Sequence, residues 1–499
     1  MDWLGAITGK GLSFLSSMFV LAVGLGALLV LALFIADITQ RRNAIRRNYP
    51  VIGRFRGLFI KLGEFFRQYF FALDREEMPF NRAERDWVYK SSEGEDNTAA
   101  FGSTNNLNIP GAVIFVNAPF PTEENEGTPA PPVVIGPGCP APYEAQSILN
   151  ISAMSYGAIS QPAVCALSRG AKLGGCWLNT GEGGLSPYHL EGGGDLVFQI
   201  GTANYGVRNA DGTLDFEALR EVAAYEQVKM IELKLSQGAK PGKGGLLPGV
   251  KVTAEIATIR GIPEGEESIS PNGHPGVDNV SELLDHIGRI REAAGKPAGF
   301  KTVIGETQWL DEMCEEIRRH GIEHAPDFIT IDSGDGGSGA APMALMDNCG
   351  LLIREALPLT VDILARNGLR ERIKVIASGK LITPAEVAWA YCAGADFVNS
   401  ARGFMLALGC IQSMRCNKNT CPTGIATHDA RLQAGLDPRS KAIRVKNFVE
   451  RMRKDVGIIA HSCGVAHPRA LKRHHCRIIQ ANGLSVPMDE LHPPQRTRS

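Results

Sequence analysis

Three cysteines and a proline form the stretch of this chain whose residue types and spacing most clearly suggest chemistry. Cys410, Cys416 and Cys421 lie within twelve residues, and Pro422 follows the last of them. Thiols held this close form a disulfide, bind a metal or stay reduced. A proline after the last cysteine recurs in iron–sulfur loops, and three cysteines rather than four indicate a three-iron cluster. The alternative is a loop of buried free thiols, because free cysteine is among the most buried residue types.

Glycine-rich segments with basic side chains form a second candidate site. Three such segments follow successive short apolar runs, and they include Asp335, Gly336, Gly337, Ser378, Gly379, Ala401 and Arg402. Backbone N–H groups of glycines, together with a lysine or arginine side chain, are what a phosphate needs. Glycines in any one of these loops could serve only to make a tight turn. Three consecutive loops, two of which carry Lys380 or Arg402, favour a phosphate-bearing cofactor.

Two further loops carry side chains suited to a small acidic substrate, namely Glu182, Gln237 and Lys240. A lysine can pair with a carboxylate or polarise a carbonyl, and a glutamine can donate a hydrogen bond, so this set suits a dicarboxylate or keto acid. A glutamate can hold an ammonium or imine group, or move a proton. Each residue taken alone is equally well explained as a solvated loop side chain. Only their convergence on one face would make a site.

A flavin ring fits between these two groups of residues. The loop of Ala153, Met154 and Ser155 offers a backbone on which an isoalloxazine ring could lie. Lys301 could stabilise negative charge at the N1/O2 edge of the reduced ring. A lysine buried in a strand without a partner is costly, which makes a purely structural role for Lys301 the weaker explanation.

The candidate residues all lie at or after the ends of short apolar runs, which alternate with helical patterns from residue 146 onward. Eight strands alternating with helices over about 260 residues indicate an α/β fold, the (β/α)8 TIM barrel. In such a barrel the loops after the strands share one face, so the candidate residues would converge there. A doubly wound open sheet is the rival, but no G-x-G-x-x-G motif follows the first strand. The predicted strands are 148–152, 176–179, 196–200, 230–235, 300–303, 328–332, 373–377 and 396–399, within a barrel at 146–430.

The N-terminal region predicts a single-pass membrane anchor ahead of the barrel. Residues 12–36 carry no charge and are long enough to cross the ~30 Å hydrocarbon layer as a transmembrane helix. Seven basic residues follow between positions 41 and 61, without an acidic residue among them. This asymmetry predicts the catalytic body on the cytoplasmic side of the membrane. A cleaved signal peptide would carry its positive charge before a shorter apolar region, and a buried core helix would not explain the arginines.

Three further segments complete the predicted organisation. In residues 37–90, aromatic and basic side chains are mixed, so this juxtamembrane segment either rests at the lipid headgroups or packs on the catalytic body. Residues 91–145 are rich in proline, glycine and asparagine and predict an irregular connector. Residues 431–499 predict a C-terminal helical extension, with an amphipathic helix at 442–460. They end in a surface tail whose His and Cys residues lack clean metal-ligand spacing.

Composition excludes several classes of protein. The chain has 499 residues and a net charge of −1, so no charge bias favours nucleic acid as a partner. Its eleven cysteines are an odd number and are scattered, which argues against a disulfide framework and indicates a reducing compartment.

At the level of motifs, residues 146–460 resemble the FMN-binding synthase domain of the glutamate synthase family. The last two matching segments are particularly specific, because that family holds a [3Fe–4S] cluster there. The segments are SAMSYGAIS at 152–160, NTGEGG at 179–184, LKLSQGAKPGKGG at 233–245, LPGVK at 247–251, DGGSGA at 335–340, ALGCI at 407–411 and CNKNTCPTGIAT at 416–427.

The resemblance implies a set of cofactors and a reaction. The three cysteines would ligate the cluster, FMN would sit in the barrel mouth, and 2-oxoglutarate would stack on it near Glu182. In that family ammonia condenses with 2-oxoglutarate to 2-iminoglutarate, and reduced FMN delivers a hydride to the imine carbon, which gives L-glutamate. The cluster relays electrons to FMN. Lys240 would bind a substrate carboxylate or carbonyl oxygen, and Gln237 would orient it.

The chain departs from the family pattern in two ways. The glutaminase domain with its N-terminal cysteine nucleophile and the C-terminal β-helix are not expected here, so ammonia or another amine would be free or would come from a separate amidotransferase subunit. The loop at Ser378, Gly379 and Lys380 reads differently from the family's more usual Asp-Gly-Gly, which puts FMN contacts there in doubt. Electrons would come from a ferredoxin-like donor, a partner reductase or a membrane carrier, since no nicotinamide-binding motif argues for direct NAD(P)H use.

Two alternative functions stay open. The same barrel could synthesise an N-substituted glutamate from an alkylamine. A non-catalytic, membrane-anchored subunit could keep the barrel without its chemistry. The intact site residues and three cysteines speak against the second alternative.

Overall fold

The structure, a computed structural model, describes residues 2–40, 44–71 and 73–493. The chain divides into two compact units, residues 1–83 and residues 84–499. A helix at Arg82–Glu93 lies at the boundary in the sequence.

The N-terminal unit consists of helices. The first, Asp2–Thr39, contains the predicted transmembrane segment. From residue 10 to residue 39 it is long and apolar enough to cross a membrane, with a mean hydropathy of 2.9 and no buried residue in its most apolar window. A signal sequence meets the same two criteria of length and composition. The helices Ala44–Asn48 and Ile52–Phe66 and a π-helical turn at Arg67–Phe71 follow.

An ion pair holds the turn between the first helix and Ile52–Phe66. Asp37 is buried, and its carboxylate lies 2.8 Å from an Arg54 Nη atom and accepts the N–H of Val51 at 3.0 Å. A buried carboxylate needs such partners, because an uncompensated charge is costly to remove from water. The pair therefore fixes the direction in which the later helix leaves the end of the first.

Eight parallel strands close into a barrel in the second unit, which confirms the predicted (β/α)8 architecture. β8 pairs with β1 through Asn399 and Asn150 and closes the cylinder. The strands are β1 Leu149–Ile151, β2 Leu178–Asn179, β3 Leu196–Ile200, β4 Val228–Lys234, β5 Ala298–Val303, β6 Phe328–Asp332, β7 Lys374–Ser378 and β8 Phe397–Ser400.

Helices follow the strands, and local sequence explains where they begin and end. In Gln161–Gly174, the side chain of Ser160 accepts the N–H of Ala163 at the start, and Gly175 adopts the left-handed conformation at the end. The other helices after strands are Pro187–Leu190, Phe216–Ala223, Ala254–Arg260, Val280–Ala294, Gln308–His320, Ile353–Arg366, Pro384–Ala393 and Arg402–Ala407. Shorter elements are Leu246–Leu247 paired with Ser268–Ile269, and the turns Gly249–Lys251 and Ile322–His324.

The connector is more ordered than its composition predicted. Val133–Ile135 and Tyr143–Ala145 form a hairpin. Its apolar side chains share a core with residues near the starts of the barrel strands, namely Trp177, Val197, Met230, Phe328, Ile376 and Phe397. The hairpin therefore closes the N-terminal end of the barrel, and the loops gather at the opposite end.

The C-terminal extension contains the helix predicted at 442–460, which spans Pro438–Ser462. The residues beyond it differ from the predicted surface tail, because Cys476–Ile479 pairs with Val113–Phe115 of the connector and with Ser485–Pro487. Cys476 is fully buried as a result. The remaining short elements are Ala430–Gln433, Pro468–Ala470, Arg473–His475 and Met488–Leu491.

Candidate active site

Charged side chains converge at the C-terminal mouth of the barrel. Lys234, the last residue of β4, donates from Nζ to Glu182 Oε1 at 2.8 Å, and the two side chains are only 8% and 14% exposed. Lys240 is 3% exposed, and its charge and that of Arg260 also act on Glu182. Three cations therefore surround one carboxylate. Their excess positive charge can be balanced by a negatively charged ligand.

These surroundings set the protonation of the site. Burial favours the neutral form of Glu182, but Lys234, Lys240 and Arg260 outweigh burial and hold the pKa of Glu182 below its ordinary value. Burial, reinforced by the charge of Lys234, lowers the pKa of Lys240 to about 8. Lys240 therefore titrates close to neutral pH, whereas Glu182 stays ionised there.

Two glycines make the space that Glu182 occupies. A Cβ atom at Gly201 would come within 2.6 Å of Glu182 Oε2, and one at Gly245 would overlap Glu182 Oε1. Side chains at these positions would push Glu182 out of its ion pair.

Gln237 reaches the same face but contacts a different loop. Its Nε2 donates to Ser338 Oγ at 3.1 Å, and the neighbouring Gly238 N–H donates to Asp332 Oδ2 at 3.0 Å. The first bond joins the loop after β4 to the loop after β6, and the second joins it to the end of β6 itself. Gln237 thus lies at the barrel mouth with its amide directed toward the sixth loop.

Lys301 has a buried acidic partner. Its Nζ lies 3.0 Å from Asp332 Oδ2, and both side chains are almost fully buried. Burial alone would lower the pKa of Lys301, but the charges of Asp332 and Glu232 outweigh it and raise that pKa above its ordinary value. Lys301 is therefore a permanent positive charge in the barrel interior.

Glu232 lies in the interior and links its own strand, β4, to β2, β3 and β6. Its carboxylate accepts hydrogen bonds from Asn179 at 2.8 Å, from Gln199 at 2.6 Å and from Thr330 at 2.6 Å. Each of these polar groups is buried and partnered, as a stable interior requires.

The loop of Ala153, Met154 and Ser155 is half-buried and held by its neighbours. A Cβ atom at Gly181 would overlap the backbone nitrogen of Ser155, so the loops after β1 and β2 pack backbone to backbone. Further along the same loop, Arg260 donates to the carbonyl of Tyr156 at 3.3 Å. The loop therefore has a fixed shape.

The loops after β6, β7 and β8 also meet, around Asp335. Lys380 Nζ lies 2.9 Å from Asp335 Oδ2, Ser333 Oγ donates to the same carboxylate, and Arg402 donates to the Asp335 carbonyl at 3.2 Å. Gly337 lies beside Arg402, and Ser378 hydrogen-bonds with Asp332. The structure thus brings the predicted phosphate-binding segments, Asp335, Gly336, Gly337, Ser378, Gly379, Ala401 and Arg402, to one side of the mouth.

The three clustered cysteines are free thiols, so none forms the disulfide that the spacing also allowed. Burial opposes ionisation of Cys421, but Thr423 and the backbone N–H groups of Ile425 and Ala426 hydrogen-bond to its sulfur and lower its pKa. Burial raises the pKa of Cys410 to about 12, and the three thiols influence one another's charge. In the described part of the chain, no set of three His, Cys, Asp or Glu side chains is arranged to hold a metal ion.

Sequence reasoning missed three charged residues of this site: Lys234, Arg260 and Asp332. A signal for the first existed, because Glu232 and Lys234 lie two residues apart in the same strand and so point to the same side of it. Asp332 likewise ends a strand of mostly apolar residues. Arg260 had no such signal, since it comes from a helix that only tertiary structure brings to the mouth.

Proteins that are similar in sequence to this chain carry the name glutamate synthase. Residues 130–466 match the family described as the conserved region in glutamate synthase. The glutamate synthase large subunit-like protein YerD of Bacillus subtilis is 39% identical, over 92% of this chain and 94% of that protein. The archaeal glutamate synthase [NADPH] of Methanocaldococcus jannaschii is 33% identical over 66% of this chain, which spans 61% of its length. A solved mandelate oxidase with benzoyl-formic acid shares 16% identity at a TM-score of 0.44, covering 73% of this chain and 86% of that one. No functional conclusion follows at that distance.

The region that matches the family, residues 130–466, contains all eight strands of the barrel. The fold and the site therefore define a protein of the synthase-barrel class. The chain belongs to the glutamate synthase family.

Proposed function

We propose that this chain is an oxidoreductase that reductively aminates 2-oxoglutarate to L-glutamate through 2-iminoglutarate. The observation that carries the proposal is the group of Lys234, Lys240 and Arg260 around the single carboxylate of Glu182. One carboxylate neutralises one of three positive charges, so the remaining charge fits the two carboxylates of 2-oxoglutarate. The names of the relatives favour the same reaction.

The side chains have distinct roles in this proposal. Lys240 pairs with a substrate carboxylate while it is protonated, and Gln237 orients the substrate by donating a hydrogen bond. Glu182 is held ionised by Lys234, so it can accept a hydrogen bond from an ammonium or iminium group and take up a proton as the amine condenses. Arg260 adds a second fixed cation for the other carboxylate.

The residues of the mouth fit FMN as the redox cofactor. Ala153, Met154 and Ser155 form a backbone of fixed shape that would carry the ring, and Lys301 is the permanent cation that its N1/O2 edge needs. Asp335 would orient Lys380 and Arg402 toward the phosphate without contacting it, because two anions repel. The other phosphate-side residues would be Gly336, Gly337, Ser378, Gly379 and Ala401. Reduced FMN supplies the hydride for the imine carbon when bound.

We also propose an iron–sulfur cluster, of the [3Fe–4S] type, on Cys410, Cys416 and Cys421. Three cysteine sulfurs in one loop are the donors that such a cluster binds. Hydrogen bonds from the N–H groups around Cys421 favour its thiolate, the form that binds iron, whereas burial raises the pKa of Cys410 and Cys416. Electron relay to the flavin is the chemistry that such a cluster supplies. The donor would be ferredoxin-like, a partner reductase or a membrane carrier.

Single-pass membrane attachment is part of the proposal, with the catalytic unit on the cytoplasmic side. Its support is the length and exposure of the first helix together with the basic residues that follow it. The amine would be ammonia, supplied free or by a separate amidotransferase subunit.

Anaerobic purification in detergent, with flavin and iron analysis, tests the cofactors. Stopped-flow mixing of the reduced protein with 2-oxoglutarate and ammonium then tests the reaction, and methylamine in place of ammonium tests the N-substituted alternative. We expect rapid flavin reoxidation with ammonium, and its loss in Lys240→Met, which should keep its flavin and still react with oxygen. A protein without flavin and iron, or a flavin that the substrates do not reoxidise, would contradict the proposal.

A further inference from the structure

The helix Ile52–Phe66, here called the amphipathic helix, exposes large apolar side chains. Ile52 is 72% exposed and Phe59 is 64% exposed, and the next turns of chain continue with the exposed Phe70 and Phe71. Surface hydrophobic residues scattered singly need no explanation, but a contiguous set marks an interaction site. The exposed apolar residues of this helix are Ile52, Phe55, Leu58, Phe59 and Phe66.

Helical geometry places four of these five side chains, all but Leu58, on one face. At 100° per residue, Ile52, Phe55 and Phe59 fall within one sector of about 60°. Arg54 and Lys61 fall on the opposite side. A helix with an aromatic and aliphatic face and basic residues beside it has the composition of one that lies in a membrane interface.

The position of the amphipathic helix in the chain indicates that lipid covers its apolar face. The candidate membrane span ends at Thr39, and Asp37 within its last turn pairs with Arg54 of the amphipathic helix. A bilayer that contains the first helix presents its headgroup layer where that helix ends. The ion pair therefore holds the apolar face at the depth where headgroups and acyl chains meet.

We infer that the amphipathic helix lies in the plane of the membrane surface, with its apolar face in an anionic lipid leaflet. Resting on the proposed membrane location, the inference gives the N-terminal unit a second, interfacial lipid contact. Arg56 is exposed and lies beside the apolar sector, where its positive charge matches the negative charge of anionic headgroups.

Quenching of tryptophan fluorescence by brominated lipid tests this in the full-length protein. A Trp3→Phe parent would receive either Phe59→Trp on the apolar face or Gly57→Trp on the polar face of the same helix. A Cβ atom at Gly57 meets open space, so the control introduces no clash. The vesicles would contain phosphatidylglycerol and phosphatidylcholine brominated near the headgroup end of its acyl chains.

We expect the emission that Phe59→Trp adds to fall about twofold in brominated vesicles, and that of Gly57→Trp to change little. Equal quenching of both, or none at position 59 in protein that floats with the vesicles, would overturn the inference. The latter would mean that the apolar face packs on the catalytic unit or on a second copy. Failure to float with vesicles would instead overturn the proposed membrane location, and the inference with it.

Discussion

Replacing Lys234 by glutamine should expose the energetic role of the ion pair at the barrel mouth. The substitution removes the ammonium group 2.8 Å from Glu182 and leaves a buried carboxylate without its nearest partner. Removing one member of a buried pair costs about 3–5 kcal/mol. Lys240 and Arg260 still act on Glu182, so we expect a loss somewhat below that range, about 2–3 kcal/mol in the free energy of unfolding.

Equilibrium urea denaturation in detergent, followed by near-ultraviolet circular dichroism, measures this loss. With a slope of about 3 kcal/mol per molar urea, the midpoint should fall by roughly 0.7–1 M. The Lys234→Gln/Glu182→Gln double variant places two neutral amides together and should recover much of the loss. If the losses of the two single variants sum to the loss of the double variant within about 0.5 kcal/mol, the two residues are not coupled and the reasoning is refuted.

Three further predictions concern substrate, flavin and iron. KM for 2-oxoglutarate should rise as pH increases through about 8, because Lys240 loses its proton there, and Lys240→Arg should flatten the rise in initial-rate measurements; an unchanged profile would contradict this role. Gly181→Ala should release most of the flavin, measured by absorbance per chain, because its Cβ atom would displace the first loop. Gly305→Ala, where a Cβ atom meets open space, should retain the flavin. If Gly181→Ala retains as much flavin as Gly305→Ala, the loop of residues 153–155 does not carry the flavin ring. Cys421→Ala should lower bound iron and acid-labile sulfide while Cys314→Ala, at a buried thiol elsewhere, keeps both; equal iron in the two would place the metal on other residues.

The barrel could be predicted from sequence because its signals are local. Strands such as β3 and β6 are short apolar runs bounded by loops, and the helix after β1 carries its own start and stop signals in Ser160 and Gly175. Eight successive alternations of strand and helix are compatible with few folds. The partner of Lys301 was within reach of the same reasoning, because Asp332 ends the next strand along the chain and adjacent strands pair.

Other parts of the site could not be predicted, because they depend on contacts that only closure of the barrel creates. Glu182 meets Lys234 across strands whose relative register the sequence does not encode locally. Arg260 reaches the mouth from a helix beyond β4. The sheet of the connector and tail pairs Val113 with Ile478, and composition alone made each segment look irregular.

That last pairing has a consequence for how the protein is made. A ribosome adds about 5–20 residues per second, so Ile478 emerges roughly 20–70 s after Val113. The first helix has left the ribosome long before, and the barrel strands follow in order. The connector strand must wait, with its edge unpaired, until Ile478 has been synthesised. Truncation before Cys476 would therefore leave an open strand edge, which is a site for aggregation or for recognition by chaperones.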